Sequence, residues 1–473
     1  MANKESQKAQ PVVVAQAGRM EQFHIWKHDL GMDSCVMIIA DYQCEGVTLD
    51  QSTLFAALAK VVHRQPSLAV RFSSDRRQFL RLPSIDLAAL IEFADGAELQ
   101  DVLEAQLLRR FDTDAEMPLW RLVVINACTV VFAYQHALGD GQSGIAFHRA
   151  LWTALNELEY PITSASQVVP VQDHIELVPP SEKLIDLSVS FTKFCSGIAK
   201  AFAPKALTKS ASWSGNPIPL VLSTKTAVRL LSYTPQEAAK LLQLCKAHDA
   251  TLTGLLLALA AAVLSRSLAA HPRSTEYKTI AMGVPITLRR FTGATADTMC
   301  NHVSGCFLRP PVQRANAASD EPVQLDDALW ASAAQLTKKL HSKIATCKQE
   351  PGMLKFLFGD YKGYLEGRPG RPRTYGFELS NVGPFPSIAG TSSEEGEHNG
   401  HKWRITQTYF AQCDSPTGAA TKLNAIGTPT GGLGLSVQWG DGAVDDSVSE
   451  ALYEGVKDAI QRLLIANTAD SSS

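Results

Sequence analysis

The segment Tyr134–Gly144, which reads YQHALGDGQSG, holds residues whose types and spacing could do chemistry. Its His136, Asp140 and Gly141 form the pattern H-x-x-x-D-G. A histidine in such a pattern can act as a general base, because the pKa of imidazole lies near neutrality. The glycines of the same segment also form G-x-G-x-x-G, which can bind the pyrophosphate of a dinucleotide when it joins a strand to a helix. The segment alone therefore admits two chemistries.

The dinucleotide interpretation lacks its other parts. It requires a second strand that ends in an acidic residue about twenty positions further on, but Glu157 and Glu159 lie at the end of a predicted helix. Asp140 would also place a carboxylate where a phosphate needs bare backbone amides. Ser143 lies in G-Q-S-G, which is not the nucleophile elbow G-x-S-x-G of hydrolases. The pattern thus favours a general base, and a hydrogen-bonded histidine before an ordinary Asp-Gly turn remains the alternative.

The whole chain has the composition of a globular protein with more than one core. Its 473 residues exceed one ordinary domain, so two or three are expected. The hydrophobic share of 45% excludes a disordered chain, and the net charge of -3 argues against a nucleic-acid partner.

Cysteine usage and hydropathy indicate a cytoplasmic protein. The nine cysteines are an odd number and include no C-x-x-C pair, which favours reduced thiols. Cys300, His302 and Cys306 come closest to a metal site, but no second ligand cluster completes it, so no metal is predicted. The apolar run Leu252–Leu264 is too short to span a bilayer and is predicted to be a buried helix. The N-terminal KESQKAQ has no apolar face, so membrane insertion is not expected.

Strand and helix patterns surround the opening segment. Leu119–Ile125 and Val130–Tyr134 are apolar runs that predict a hairpin with His136 at its end, and a helix is predicted over Gly144–Leu158. Ser67–Phe72 is predicted to be a strand, and Leu184–Phe202 a helix within a proline-rich region. The chain is therefore expected to form two α/β halves: an N-terminal subdomain over residues 1–160, a crossover linker over 161–219 and a C-terminal subdomain over 220–473.

Several segments in order along the chain resemble acyltransferases related to chloramphenicol acetyltransferase, a superfamily that includes plant BAHD enzymes and peptide-synthetase condensation domains. HALGDG is similar to their active-site signature, and within the superfamily the chain most resembles the fungal alcohol O-acetyltransferases. The other segments that carry the resemblance are Gly18–Gly31, Met117–Val124, Trp213–Ile218, Cys245–Ala258, Pro285–Phe291 and Leu379–Gly383. Val437–Gly442, VQWGDG, departs from the plant motif DFGWG, and Gln135 stands where condensation domains have a second histidine. Both departures favour a stand-alone enzyme that is not of the plant type.

The resemblance implies two chloramphenicol-acetyltransferase-like α/β domains, with mixed sheets flanked by helices and a tunnel at their interface. It implies that His136 acts as the general base and that no covalent acyl-enzyme forms. It further implies that Asp140 pairs with Arg289, with Arg290 as the alternative, while Gly141 supports the turn. The residues predicted to bind the oxyanion or the substrate are Ser380 and Asn381, and a strand-end turn with capped polar groups is the alternative for both.

The resemblance also implies the substrates. Acetyl-CoA is the expected co-substrate, with no permanently bound cofactor, and the acceptor is expected to be the hydroxyl group of a small molecule or secondary metabolite. Lys338, Lys339 and Arg371 could contact the phosphates of CoA or could be surface charges. A monomer is expected. The alternatives are an N-acyltransferase or a condensation-like synthase with a carrier-bound donor, and then a binding protein or a nucleotide-dependent oxidoreductase.

Overall fold

A computed structural model describes residues 11–202, 211–313, 322–386 and 402–469 as a mixed α/β protein. The helices are α1 (Arg19–Asp29), α2 (Gln51–Arg64), α3 (Leu99–Leu108), α4 (Gly141–Asn156), α5 (Ser181–Leu184), α6 (Phe191–Phe202), α7 (Pro235–Ala247), α8 (Leu252–Ala269), α9 (Arg289–Thr292), α10 (Asp327–Ile344), α11 (Gln349–Gly352), α12 (Tyr361–Glu366) and α13 (Asp446–Ala469). The strands are β1 (Val13–Gln16), β2 (Val36–Gln43), β3 (Val70–Phe72), β4 (Gln78–Arg81), β5 (Ser84–Asp86), β6 (Ile91–Ala94), β7 (Trp120–Ile125), β8 (Thr129–Tyr134), β9 (Val168–Pro170), β10 (Ser212–Trp213), β11 (Thr226–Tyr233), β12 (Thr279–Ile280), β13 (Met282–Thr287), β14 (Val303–Leu308), β15 (Tyr375–Asn381), β16 (Arg404–Gln412), β17 (Ala419–Gly427) and β18 (Leu433–Gly440).

One large sheet carries His136 at the end of a strand. Its order is β16-β2-β8-β7-β6. The predicted hairpin is confirmed: β7 and β8 are antiparallel, and Asn126 and Ala127 turn the chain between them with φ of 50° and 51°. The edge strand β16 comes from the second half of the chain and pairs with β2. The two halves therefore share this sheet, and the division into subdomains at 160 and 220 stays a prediction.

The second large sheet supplies the other wall of the site. Its order is β11-β18-β17-β15-β13-β14, with parallel pairing of β13 with β15 and of β15 with β17. The helix α8 is apolar around its whole circumference and packs against α10 and α13, which agrees with the predicted buried helix. By length and composition alone α8 could cross a membrane, but 72% of it is buried inside the fold.

The structure corrects several predicted elements. Ser67–Phe72 is not one strand, because Pro66 begins a 3₁₀ turn over Pro66–Ala69 and only Val70–Phe72 is extended. The helix predicted over Leu184–Phe202 begins only at Phe191 as α6, because the short helix α5 ends at Leu184 and residues 185–190 are not helical. The N-terminal segment KESQKAQ lies outside the described residues.

Two hydrophobic cores support the sheets, and a smaller cluster joins them. One core packs α2 and α4 against the first sheet, and the other packs α8 and α13 against the second. Between the sheets, Met37 and Ile39 of β2 belong to one cluster with Val228 of β11 and Ala411 of β16. The sheets therefore meet close to the segment that carries His136.

Candidate active site

A cavity of about 350 Å³ lies between the two halves and contains the opening segment. His136 and Gly141 line it from the first half, while Pro285, Ser380 and Gln412 line it from the second. This volume is in the range of small-molecule sites. The cavity therefore has walls from both sheets, with His136 exposed to it.

The backbone at His136 is fixed from three directions. The amide of Gln135 donates to the carbonyl of Leu119 at 2.9 Å, and the Gln135 side chain donates from Nε2 to the carbonyl of His24 at 3.2 Å. Asn301 donates from Nδ2 to the carbonyl of His136 at 2.8 Å. The position of the histidine is thus held by groups that are distant in the sequence.

The imidazole of His136 makes no hydrogen bond to another residue within the described part of the chain. Its Nδ1 is buried and unpaired, and its ring stacks on that of His24 with centroids 3.9 Å apart and planes at 19°. Burial lowers the pKa of His136 below its usual value, although the charge of Asp33 and its own backbone carbonyl raise it. The ring is therefore neutral at pH 7 and able to accept a proton.

Asp140 has its carboxylate fully engaged. It caps the N-terminus of α4, where Oδ1 accepts from the amide of Ser143 at 3.0 Å. The same oxygen is 2.8 Å from Nη2 of Arg289, and Oδ2 accepts from the amide of His302 at 3.3 Å. Because a carboxylate occupies the start of α4, this helix end does not fit the phosphate of a dinucleotide. Asp140 holds the turn and the start of the helix in place.

Arg289 follows the end of β13 and joins the two halves. It is 5% exposed, and its Nη1 donates to the carbonyls of Thr295 and Thr298 at 2.7 Å each. Arg290 is exposed, so the partner of Asp140 is Arg289. Gly141 is required by close packing, since a Cβ there would lie 2.6 Å from Cγ1 of Val382.

Ser380 and Asn381 both line the cavity at the end of β15. The amide of Asn381 is committed to the protein: Nδ2 donates to Thr253 at 3.1 Å, and Oδ1 accepts from the amide of Gly383 at 2.9 Å. The hydroxyl of Ser380 has no such partner among the described residues. Ser380 is therefore the one of the two with a donor available to a bound substrate.

A profile of the alcohol acetyltransferase family matches residues 89–456, which is more than half of the chain. The chain belongs to the alcohol acetyltransferase family. It is therefore an acyltransferase, and the resemblance noted from the sequence is confirmed. Membership also implies an acyl-CoA and an alcohol as substrates.

Two curated fungal proteins are similar over most of their length. A probable alcohol acetyltransferase, crmB, of Aspergillus fumigatus is 25% identical, with 93% of this chain and 97% of that protein covered. A probable alcohol acetyltransferase, FCK4, of Fusarium pseudograminearum is 24% identical, with 86% and 85% covered.

Solved structures confirm the predicted fold. The TRI3 trichothecene 15-O-acetyltransferase of Fusarium sporotrichioides superposes with a TM-score of 0.65 at 13% identity, over 95% of this chain and 94% of that one. The condensation domain of the monacolin K polyketide synthase MokA superposes with a TM-score of 0.55 at 13% identity, over 96% and 98%. This alcohol acetyltransferase thus has the mixed α/β architecture, with sheets flanked by helices, that these acetyltransferase and condensation-domain structures share.

The cavity of this family member also contains charged residues that the sequence did not single out. Lys27 and Asp33 line it from the N-terminal region, and Glu378 and Lys422 line it from the second sheet. Burial raises the pKa of Glu378, although Lys422 and Lys27 act to lower it. The sequence did offer one indication of Lys27 and Asp33. Lys27 lies within the segment Gly18–Gly31 that contributed to the family resemblance, and Asp33 follows it closely, but no role was predicted for either residue.

The cations proposed for the CoA phosphates lie elsewhere. Lys338 and Lys339 are exposed on α10, and neither they nor Arg371 line the cavity.

His302, one of the residues that came closest to a metal site in the sequence, has both ring nitrogens engaged, by Thr292 at 2.9 Å and by the carbonyl of Pro179 at 3.0 Å. In the described ranges no group of three or more His, Cys, Asp or Glu side chains could hold a metal ion.

Proposed function

We propose that this alcohol acetyltransferase transfers an acetyl group from acetyl-CoA to a hydroxyl group of a small molecule, with His136 as the general base. The observation that carries the proposal is the His136 imidazole, which lines the cavity and makes no hydrogen bond to another of the described residues. A ring in this state is free to accept a proton from a substrate in the cavity.

The chemistry needs only a proton shuttle and a donor for the oxyanion. As the acceptor oxygen attacks the thioester carbonyl, its proton moves to His136 and a tetrahedral intermediate forms. The hydroxyl of Ser380 donates to the oxyanion of that intermediate. When the carbon–sulfur bond breaks, the imidazolium returns the proton to the CoA thiolate, so atoms and charge balance without a covalent acyl-enzyme.

The names of the similar proteins support the acceptor class. The curated fungal relatives are named as probable alcohol acetyltransferases, and the solved TRI3 enzyme is named for a trichothecene hydroxyl. We therefore assign a hydroxyl of a secondary metabolite as the acceptor of this chain. We place the enzyme in the cytoplasm as a monomer, which imaging of a fluorescent fusion and light scattering would test.

The experiment that tests the function is the acceptor-dependent release of CoA. The purified protein and its His136→Ala variant are mixed with acetyl-CoA and a panel of alcohols and amines, and free thiol and product mass are measured. Release with alcohols that the variant loses supports the proposal. Release only with amines would make the protein an N-acyltransferase, and transfer only from an acylated carrier protein would make it a condensation-like synthase.

A further inference from the structure

The ring that stacks on His136 comes from a different part of the chain. His24 lies on α1 and is 8% exposed, and its ring is nearly parallel to that of His136, with centroids 3.9 Å apart. His136 makes no side-chain hydrogen bond to another of the described residues, although its own backbone carbonyl acts on its ring. The stack on His24 is therefore the ring contact that a distant part of the chain supplies to His136.

His24 has buried contacts through both its backbone and its ring. Its backbone carbonyl accepts from the side chain of Gln135, the neighbour of His136, at 3.2 Å. Its Nδ1 lies 3.5 Å from Oδ2 of Asp33, which is also 3.5 Å from Nζ of Lys27. The other oxygen of Asp33 accepts from Sγ of Cys413 at 3.0 Å. Buried contacts thus link Asp33, His24 and His136 in a row.

From this geometry we propose that His24 and Asp33 are positioning residues for His136, an inference that rests on the proposed function. The His24 ring holds the plane of the His136 imidazole. Asp33 fixes His24 and places a negative charge behind the imidazolium that forms as the acceptor hydroxyl loses its proton. The charge develops within a buried site, where a fixed counter-charge acts more strongly than it would in water.

The protonation state of His24 fits its role as a positioning residue. Burial lowers the pKa of His24 to about 3, and repulsion by His136 is the next cause. His24 is therefore neutral at pH 7, so a proton on His136 meets no second cation in the stack. The other charged or titratable groups that act on this pair or line the same cavity are Lys27 of α1, Cys35 before β2, Asp140 of the turn, Glu350 of α11, Tyr375 and Glu378 of β15, Cys413 after β16 and Lys422 of β17.

Two substitutions at His24 separate the contribution of its flat ring from the contribution of its ring nitrogens. We expect His24→Phe, which keeps a flat ring in the stack, to keep kcat within about fivefold. We expect His24→Ala to lower kcat about tenfold to a hundredfold, because a small displacement of a catalytic group costs rates of this order. The KM for acetyl-CoA and for the acceptor should stay within about twofold, since His24 orients the base and is not assigned a substrate contact.

The pH profile gives a readout that simple structural damage would not produce. His24→Ala admits water to His136, so the acid limb of kcat/KM should move to higher pH. Asp33→Asn removes a charge that raises the pKa of His136, so the same limb should move to lower pH. The proposal would be overturned if the acid limb of kcat/KM were unchanged in both His24→Ala and Asp33→Asn. It would also be overturned if His24→Phe lost as much kcat as His24→Ala.

His28→Ala is the matched control. His28 lies one turn further along α1, is 0% exposed, and its ring contacts Phe111 and not His136. This variant removes a buried ring from the same helix, together with the bond that the His28 Nε2 accepts from the amide of Phe111 at 3.1 Å, so its loss of thermal stability sets an upper reference for that of His24→Ala. Its acid limb should coincide with that of the wild type, and a shift as large as that of His24→Ala would show that damage to α1 alone is sufficient.

An NMR titration separates this inference from the proposed function. In the substrate-free protein with labelled imidazoles, the His136 signal is the one lost in His136→Ala. If His24→Ala and Asp33→Asn move its midpoint in opposite directions while no acceptor is acetylated, the arrangement holds and the function fails. If acetylation depends on His136, but the titration midpoint of His136 is the same in the wild type, His24→Ala and Asp33→Asn, the inference fails and the function stands.

Discussion

His136 and Asp140 lie four residues apart in one turn, but their surroundings in the structure are opposite. The imidazole of His136 has no hydrogen-bond partner in the described chain, whereas the carboxylate of Asp140 accepts bonds from Ser143, Arg289 and His302. An unpaired group that lines a cavity is free to react with a ligand. A saturated group can only hold the structure around it. One short motif therefore contains an unpaired side chain and a fully bonded one, and its spacing alone does not say which is which.

The largest effect that sharpens this comparison is expected at His136. His136→Ala should lower kcat/KM about 10²–10⁴-fold, the usual contribution of a general base. Its melting temperature should stay close to that of the wild type, because the ring makes no hydrogen bond to the described protein. His63→Ala, which truncates an exposed histidine on α2, is the control and should keep full activity. A strongly destabilised His136→Ala would break the comparison.

Asp140→Ala should show the reverse pattern. Removing one partner of a buried, hydrogen-bonded ion pair typically costs about 3–5 kcal/mol in the free energy of unfolding. Urea unfolding of Asp140→Ala, Arg289→Ala and the double variant measures this loss. The double variant should be less destabilised than the sum of the single losses, since each single change leaves an unpaired buried charge. A stable and fully active Asp140→Ala would refute the structural role.

Ser380 extends the comparison to a hydroxyl group. Its Oγ has no partner in the described residues, so Ser380→Ala should lower kcat about 10²–10³-fold if it donates to the oxyanion. Ser304→Ala is the matched control, because Ser304 also lines the cavity but its hydroxyl donates to the carbonyl of Cys347 at 2.6 Å. Steady-state kinetics of the two variants should therefore differ. Equal values of kcat would remove Ser380 from the mechanism.

The smallest expected effect is a change in the pH dependence of stability, and it concerns Glu21. The carboxyl of Glu21 is buried like that of Asp140, but no cation is paired with it among the described residues. Burial is the main cause that raises the pKa of Glu21 from 4.5 to about 8. As the pH rises from about 4.5 to 8, the unfolded chain releases this proton while the folded protein keeps it, so stability falls across that window. Glu21→Gln has no proton to lose.

The melting temperature of Glu21→Gln relative to that of the wild type should therefore rise between pH 5 and pH 8. Thermal unfolding of both proteins in the same buffers measures the difference. If that difference does not change with pH, the carboxyl of Glu21 is already ionised in the folded protein.

The sequence predicted the local parts of this protein well. Apolar runs around Asn126 indicated the β7–β8 hairpin, and the continuous apolar surface of α8 indicated a buried helix. These predictions succeeded because hairpins and helices depend on neighbouring residues. Ser67–Phe72 failed because Pro66 favours a helical turn, which a hydrophobic pattern does not reveal.

The order of motifs along the chain was sufficient for the family, and the imidazole in H-x-x-x-D-G was sufficient to nominate His136 as the candidate general base. Only the tertiary structure decided what acts on that histidine. Folding brings β16 to the first sheet and His24 to a stack on His136, across separations in the chain that no local pattern encodes. The stack, the nearby charge of Asp33 and the unpaired hydroxyl of Ser380 depend on distances of a few ångströms between segments remote in sequence. Local composition constrains backbone conformation, but only packing sets those distances.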